Sequence, residues 1–126
     1  MYRLLFELPS IRVNNFKGAV EKIMNHWKKY EELNSNKKII YAFYFNYETN
    51  YKGDYDFTIG VHNDFVLLPR LAQKKYKIFI SNRDKLKETW EEIWRLEEYK
   101  KINRAYDIDF EKYYPDGNIE IYISVL

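Results

Sequence analysis

Two runs of alternating side chains, Ile108 to Tyr114 and Asn118 to Val125, meet at Pro115-Asp116-Gly117, and this junction constrains the fold more than any other stretch of the chain. Pro presets the first turn dihedral, Asp bonds back to nearby backbone and Gly accepts a positive φ, so the tripeptide reverses the chain tightly. A period of two on both sides of such a turn means two antiparallel strands. In the first strand Asp109, Glu111 and Tyr113 share one face while Phe110, Lys112 and Tyr114 share the other. In the second, Ile119, Ile121, Ile123 and Val125 oppose Glu120, Tyr122 and Ser124. The hairpin therefore has an oily face and a face that mixes carboxylate with phenol.

The same plan is found upstream. Ile39 to Tyr47 is dense in β-branched and aromatic residues, and Asn50-Tyr51-Lys52-Gly53-Asp54 turns it into a second strand from Tyr55 to Val61. A helix precedes each hairpin. From Asn15 to Leu33 the apolar residues Phe16, Ala19, Val20, Ile23, Met24, Trp27, Tyr30 and Leu33 recur at steps of three and four, with Asn14 or Asn15 as the cap and Asn34-Ser35-Asn36 as the end. Tyr76 to Ile80 is a strand, and Ser81 with Asp84 forms a capping box that opens a helix to about Lys101, with Leu86, Trp90, Ile93, Trp94 and Glu97 on one face. Leu4 to Val13, interrupted by Pro9, supplies the opening strand. Strand-helix-strand-strand thus occurs twice, over about residues 1–62 and 74–126, with no Pro/Gly/Ser-rich linker between. The expectation is an α+β fold over residues 1–126 as one domain, in which two such modules related by a pseudo-twofold build an antiparallel sheet with two main helices packed on it.

Composition excludes several kinds of chemistry. With no cysteine and only two histidines, a disulfide scaffold, a thiolate zinc site and a cysteine nucleophile are ruled out. A net charge of +2 on a chain that is 32% charged gives no strong field for nucleic acid or an anionic membrane. No apolar run approaches the roughly 18 residues of a membrane span, and Met1 to Glu7 is too short and too acidic for a signal peptide, so a cytoplasmic setting is expected. His26 and His62 lack acidic or hydroxyl partners at motif spacing and read as surface or satisfied histidines, and the pairs Lys28-Lys29, Lys37-Lys38, Lys74-Lys75 and Lys100-Lys101 read as solvated surface. No catalytic residue, metal or cofactor is assigned.

The unusual quantity is aromatic: thirteen Tyr, eight Phe and three Trp, 19% of the chain, exceed what a plain core requires. The carboxylate-and-phenol face is either ordinary solvated exterior or the lining of a cavity in which an acid sits among rings. In the second case, desolvation keeps the acid costly unless hydroxyls or a cation meet it, and ring faces add a cation–π attraction of roughly 0.5 to 2 kcal/mol. Such a cavity prefers flat, greasy, positively charged molecules. Trp90 and Trp94, one turn apart, are a core pair or cavity walls. On the first central strand Tyr41, Phe43, Phe45 and Tyr47 alternate with Ile40, Ala42, Tyr44 and Asn46, and periodicity leaves open which face lines a pocket.

Taken in order, Tyr44-Phe45-Asn46-Tyr47-Glu48, Gly53-Asp54-Tyr55 and Gly60, then Tyr76-Lys77-Ile78-Phe79, Trp90-Glu91-Glu92-Ile93-Trp94, Asp109-Phe110-Glu111-Lys112-Tyr113 and Ile119-Glu120-Ile121-Tyr122-Ile123, resemble the GyrI-like, or effector-binding, domains. These domains occur alone and as the ligand-sensing half of AraC-type and MerR-type bacterial transcription regulators. The resemblance implies two modules around an aromatic cleft whose central acid recognises lipophilic cations in multidrug-sensing members. That acid maps to Glu111, with Glu120 as a second acidic candidate and Tyr44, Trp90, Trp94 and Tyr122 as candidate walls. The chain departs from the pattern at Pro9 in the first strand and at Ser124, where many relatives carry proline. It shows no helix-turn-helix, so the expected role is a stand-alone small-molecule-binding protein without direct DNA contact. The alternatives are hydrolysis of small electrophilic compounds, with Glu111 and a nearby Tyr as base and acid, and a protein-binding inhibitor of the gyrase-inhibitor type.

Overall fold

The computed structural model describes residues 5–6, 10–31, 39–61 and 75–126. Its elements are β1 (Leu5–Phe6), β2 (Ile11–Asn14), α1 (Ala19–Glu31), β3 (Ile40–Phe45), β4 (Asp54–Val61), β5 (Tyr76–Asn82), α2 (Leu86–Glu98), β6 (Asp109–Tyr113) and β7 (Asn118–Ser124). All pairings are antiparallel and the strands run β1-β4-β3-β6-β7-β5, with β2 also on the outer side of β4. In each half the first strand pairs with the third and the second lies innermost, so β3 against β6 is the seam of a pseudo-twofold arrangement. This is the α+β architecture that the two hairpin signals imply.

Both helices use one face of this sheet. Ala19, Ile23 and Trp27 of α1 pack with Val13, Ala42, Tyr55, Phe57 and Ile59. Ile93 and Trp90 of α2 pack with Ile119, Ile121 and Ile123. His26 is 4% exposed and meets the edge of Phe57 at 5.9 Å, a buried core histidine. The opposite face carries a cluster of rings, Tyr41, Phe43 and Phe110, with Tyr76 and Tyr122 against it. Among the described residues no helix is long and apolar enough to cross a membrane.

Several boundaries differ from the sequence reading, each for a local reason. α1 starts at Ala19 rather than Asn15 because Gly18 takes φ +80°, which no helix accommodates, and Asn14 instead receives the Phe16 N–H in a turn before the helix. Phe16, Val20 and Met24, counted above with the apolar face of α1, are exposed. Ser81 and Asp84 form no capping box: Ser81 belongs to β5, its hydroxyl shares a 2.8 Å hydrogen bond with that of Thr89, and Asn82 receives the Lys85 N–H in the turn to α2. α2 ends at Glu98, not Lys101, where Lys100 adopts φ +57° and Lys101 N–H returns to Leu96 O. The expected turn at Pro115-Asp116-Gly117 closes with Gly117 at φ +92°. Pro9, Leu33, Asn34-Ser35-Asn36, Lys37-Lys38, His62 and Lys74 lie outside the described residues.

Candidate functional site

A cavity of about 330 Å³ opens where α1 and α2 flank the seam of the sheet. Val20 and Ile23 of α1 form one side and Leu86, Trp90 and Trp94 of α2 the other. Tyr44 of β3, Tyr55 of β4 and Glu111 of β6 form the floor, and Tyr47, Tyr51, Asn15 and Arg104 close one end. Its size and apolar, ring-rich lining are those of a small-molecule site rather than a packing defect. Among the described residues no group of His, Cys, Asp or Glu side chains is arranged to hold a metal ion.

Strand parity aims Glu111 inward. Across the seam it faces Ala42, whose small side chain leaves room, and on the other side it faces Ile121. Glu111 is only 1% exposed. Trp90 Nε1–H donates to its Oε2 at 2.6 Å and the Tyr113 hydroxyl to its Oε1 at 2.7 Å. Burial raises the carboxyl above its ordinary pKa, against the downward pull of the hydrogen bonds from Trp90, Tyr113 and Tyr44. Burial and the neighbouring Glu111 charge likewise hold the Tyr44 and Tyr113 phenols well above their usual values, so both remain protonated donors. All these partners are neutral, and among the described residues no cation pairs with Glu111.

The second carboxylate on this face is handled differently. Asp109 is fully buried and saturated: Oδ1 accepts from the Ser124 N–H at 2.7 Å and the Ser124 hydroxyl at 2.8 Å, and Oδ2 from Tyr47 at 2.6 Å and Arg104 Nη2 at 2.8 Å. Burial disfavours the Arg104 charge, but Asp109, Tyr47 and Tyr106 together outweigh it and raise the guanidinium pKa. Two acids one alternation apart thus have opposite circumstances, one with a built-in cation and one without.

The rings form a connected wall. Tyr44 meets Trp90 edge-on at 5.4 Å, Trp90 and Trp94 lie 6.4 Å apart, and Tyr51 stacks on Trp94 at 5.2 Å and 9°. The Tyr51 hydroxyl donates to Glu98 at 2.6 Å, tying the β3–β4 loop to α2.

Of the residues singled out from the sequence, Tyr44, Trp90, Trp94 and Glu111 come together on this cavity. Glu120 and Tyr122 do not. The β6–β7 register pairs Lys112 with Glu120 and Phe110 with Tyr122, which puts both on the far face of the sheet. There Glu120 accepts from Tyr114 at 2.5 Å, and Tyr122 stacks on Phe110 at 4.4 Å. The acidic residues of β6 consequently share a face with the isoleucines of β7, not with the phenol and carboxylate of that strand. Tyr47 departs from its alternation: Asn46 at φ +50° ends β3, and the chain brings Tyr47 onto the side of Tyr44 and Tyr55. The sequence reading did not select Tyr47, Tyr51, Tyr55, Tyr113 or Arg104; Tyr113 was available from its spacing two residues after Glu111, and Asn46 is the residue type that most readily breaks a strand this way.

Comparison with known proteins gives the family and a likeness of fold. Residues 9–125 match the family model Cass2, described as integron-associated effector binding protein. A solved structure, an integron cassette protein from the mobile metagenome of Vibrio cholerae, superposes with a TM-score of 0.73 at 24% identity over 93% of this chain and 86% of that one, a likeness of fold. No curated protein matches the chain significantly. The effector-binding character read from the sequence holds at that level, and the more specific family is the integron-associated one. The chain belongs to the Cass2 family of integron-associated effector binding proteins.

Proposed function

We propose that this protein binds lipophilic organic cations in the α1–α2 cavity, with Glu111 as the charge partner and Tyr44, Trp90 and Trp94 as ring walls. One observation carries the reading: Glu111 is buried at the cavity floor and, among the described residues, meets neutral donors only, although the Arg104 guanidinium is held by Asp109 on the same face. A buried carboxylate without a counter-ion is a stored desolvation cost, and a ligand cation offsets it on arrival. The surrounding rings favour a flat or delocalised cation, whose own hydration is weak, over a small and strongly hydrated one. Nearby phenols held in their protonated form add donors without adding competing charge.

Titration of the cationic dye tetramethylrosamine against the protein, followed by fluorescence anisotropy, tests this. Saturable one-to-one binding that weakens at least about tenfold in Glu111→Gln, roughly 1.4 kcal/mol, is expected. Equal affinity in the variant would remove Glu111 as the charge partner.

A further inference from the structure

The cavity has a second polar wall that cation binding leaves unused. Arg104 borders it, with its side chain 1% exposed. Among the described residues only Nη2 has a hydrogen-bonded acceptor, Asp109; Nε and Nη1 are buried with none. The neighbouring acids already receive other donors. Asp109 already accepts four hydrogen bonds, two on each oxygen. Glu97 Oε1 lies 3.5 Å from Nη1 as an ion pair, and the Tyr106 hydroxyl occupies that carboxylate at 2.6 and 2.5 Å from its two oxygens. Below the guanidinium the Tyr106 ring lies 4.3 Å away, with Tyr47 at 5.9 Å, so its planar group is held in place by rings.

A desolvated donor left without an acceptor is a standing cost, and an acceptor carried in by a ligand recovers part of it. From this we infer that Arg104 is an acceptor subsite of the cavity: the ligand carries, beside its cationic body, a carbonyl or carboxylate oxygen directed at the guanidinium. The inference rests on the Glu111 reading and adds to it the second functional group of the ligand. Spacing limits which molecules qualify. Asp109 and Glu111 are two residues apart on one strand, about 7 Å, and Arg104 sits beside Asp109, so cation and acceptor lie on the order of 7–10 Å apart. The preferred class is amphoteric or ester-bearing aromatic cations rather than bare hydrophobic ones.

A matched dye pair reads this directly. Tetramethylrosamine and tetramethylrhodamine methyl ester share one xanthylium cation and differ in the ester group on the pendant phenyl ring. In the wild-type protein the ester is expected to bind about tenfold tighter, the value of one hydrogen bond to a charged donor. In Arg104→Lys, which keeps a charge for Asp109 but draws its single ammonium to that carboxylate, the preference is expected to fall below about twofold. Equal wild-type affinities for the two dyes, with binding of both still dependent on Glu111, would overturn the acceptor subsite and leave the cation reading standing. A preference that persists undiminished in a folded Arg104→Lys protein would also overturn it. If neither dye binds, both readings fall. Should Arg104→Lys not fold, as judged by near-UV circular dichroism, the wild-type pair decides alone.

Discussion

Glu111→Gln is expected to make the protein more stable at neutral pH, and the size of the gain follows from the site. An ionised carboxylate taken from water to a buried position costs several kcal/mol after relaxation. Two hydrogen bonds, from Trp90 and Tyr113, return about 1.5–3 kcal/mol each. The balance leaves a residual cost on the order of 1–2 kcal/mol. Gln keeps the shape: its amide oxygen receives Trp90 Nε1–H, and its NH₂ donates to the Tyr113 oxygen once that hydroxyl rotates. Removing the charge should therefore raise the melting temperature at pH 7 by about 3–8 °C. The sign with pH is fixed by the direction of the shift. Glu111 has its pKa raised on folding, so its folded form holds a proton that the unfolded chain releases. Wild-type stability at this site is greatest below the unfolded carboxyl pKa and is lost as pH rises through the raised value. The difference between variant and wild type should be constant above that window and close below it, measured by urea unfolding at steps from pH 4 to pH 8. A variant less stable than wild type at pH 7, or a difference independent of pH, would refute the account of Glu111 as a desolvated, uncompensated charge.

Trp90→Phe removes a hydrogen-bond donor to Glu111 while keeping a ring, and should cost about 1–3 kcal/mol of stability by urea unfolding and weaken tetramethylrosamine binding severalfold. The double variant Glu120→Gln/Tyr122→Phe acts on the far face of the sheet and should leave the affinity for that dye within about twofold by anisotropy, near the noise of distant surface changes.

How far the fold was legible in the sequence depends on the kind of signal each part carries. The closing hairpin and the β3–β4 pair were readable because period two and turn chemistry act over a few residues. The face of each strand was readable only as parity. Which parity lines a cavity depends on where the helices pack, and that is a tertiary fact. Within the last hairpin the register still mattered: Tyr113 opposite Ile119 makes odd positions face odd ones, so Glu111 joins the isoleucines and Glu120 is sent to the far side. Arg104 gave no signal, since it lies between α2 and β6 where the backbone follows no period, and its meaning comes from its ion pair with Asp109 and its bridge to Val125. Tyr47 was hidden by a single residue, Asn46, whose left-handed backbone breaks the alternation that sequence reasoning relies on. The helix starts were misplaced because the turn before each helix uses an Asn, Asn14 and Asn82, the residue type that also caps helices.

The central claim is that the charge of Glu111 selects cations, and an isosteric ligand pair isolates that charge. Trimethyl(4-phenylbutyl)ammonium and its neutral carbon analogue, in which a tert-butyl group replaces the trimethylammonium, have the same shape and differ by one positive charge. A gross attraction of about 4 kcal/mol at 4 Å and an effective dielectric of 20, roughly halved by desolvation, predicts the ammonium to bind on the order of thirtyfold tighter by isothermal titration calorimetry at pH 7.5. Equal affinities, or tighter binding of the neutral analogue, would contradict it.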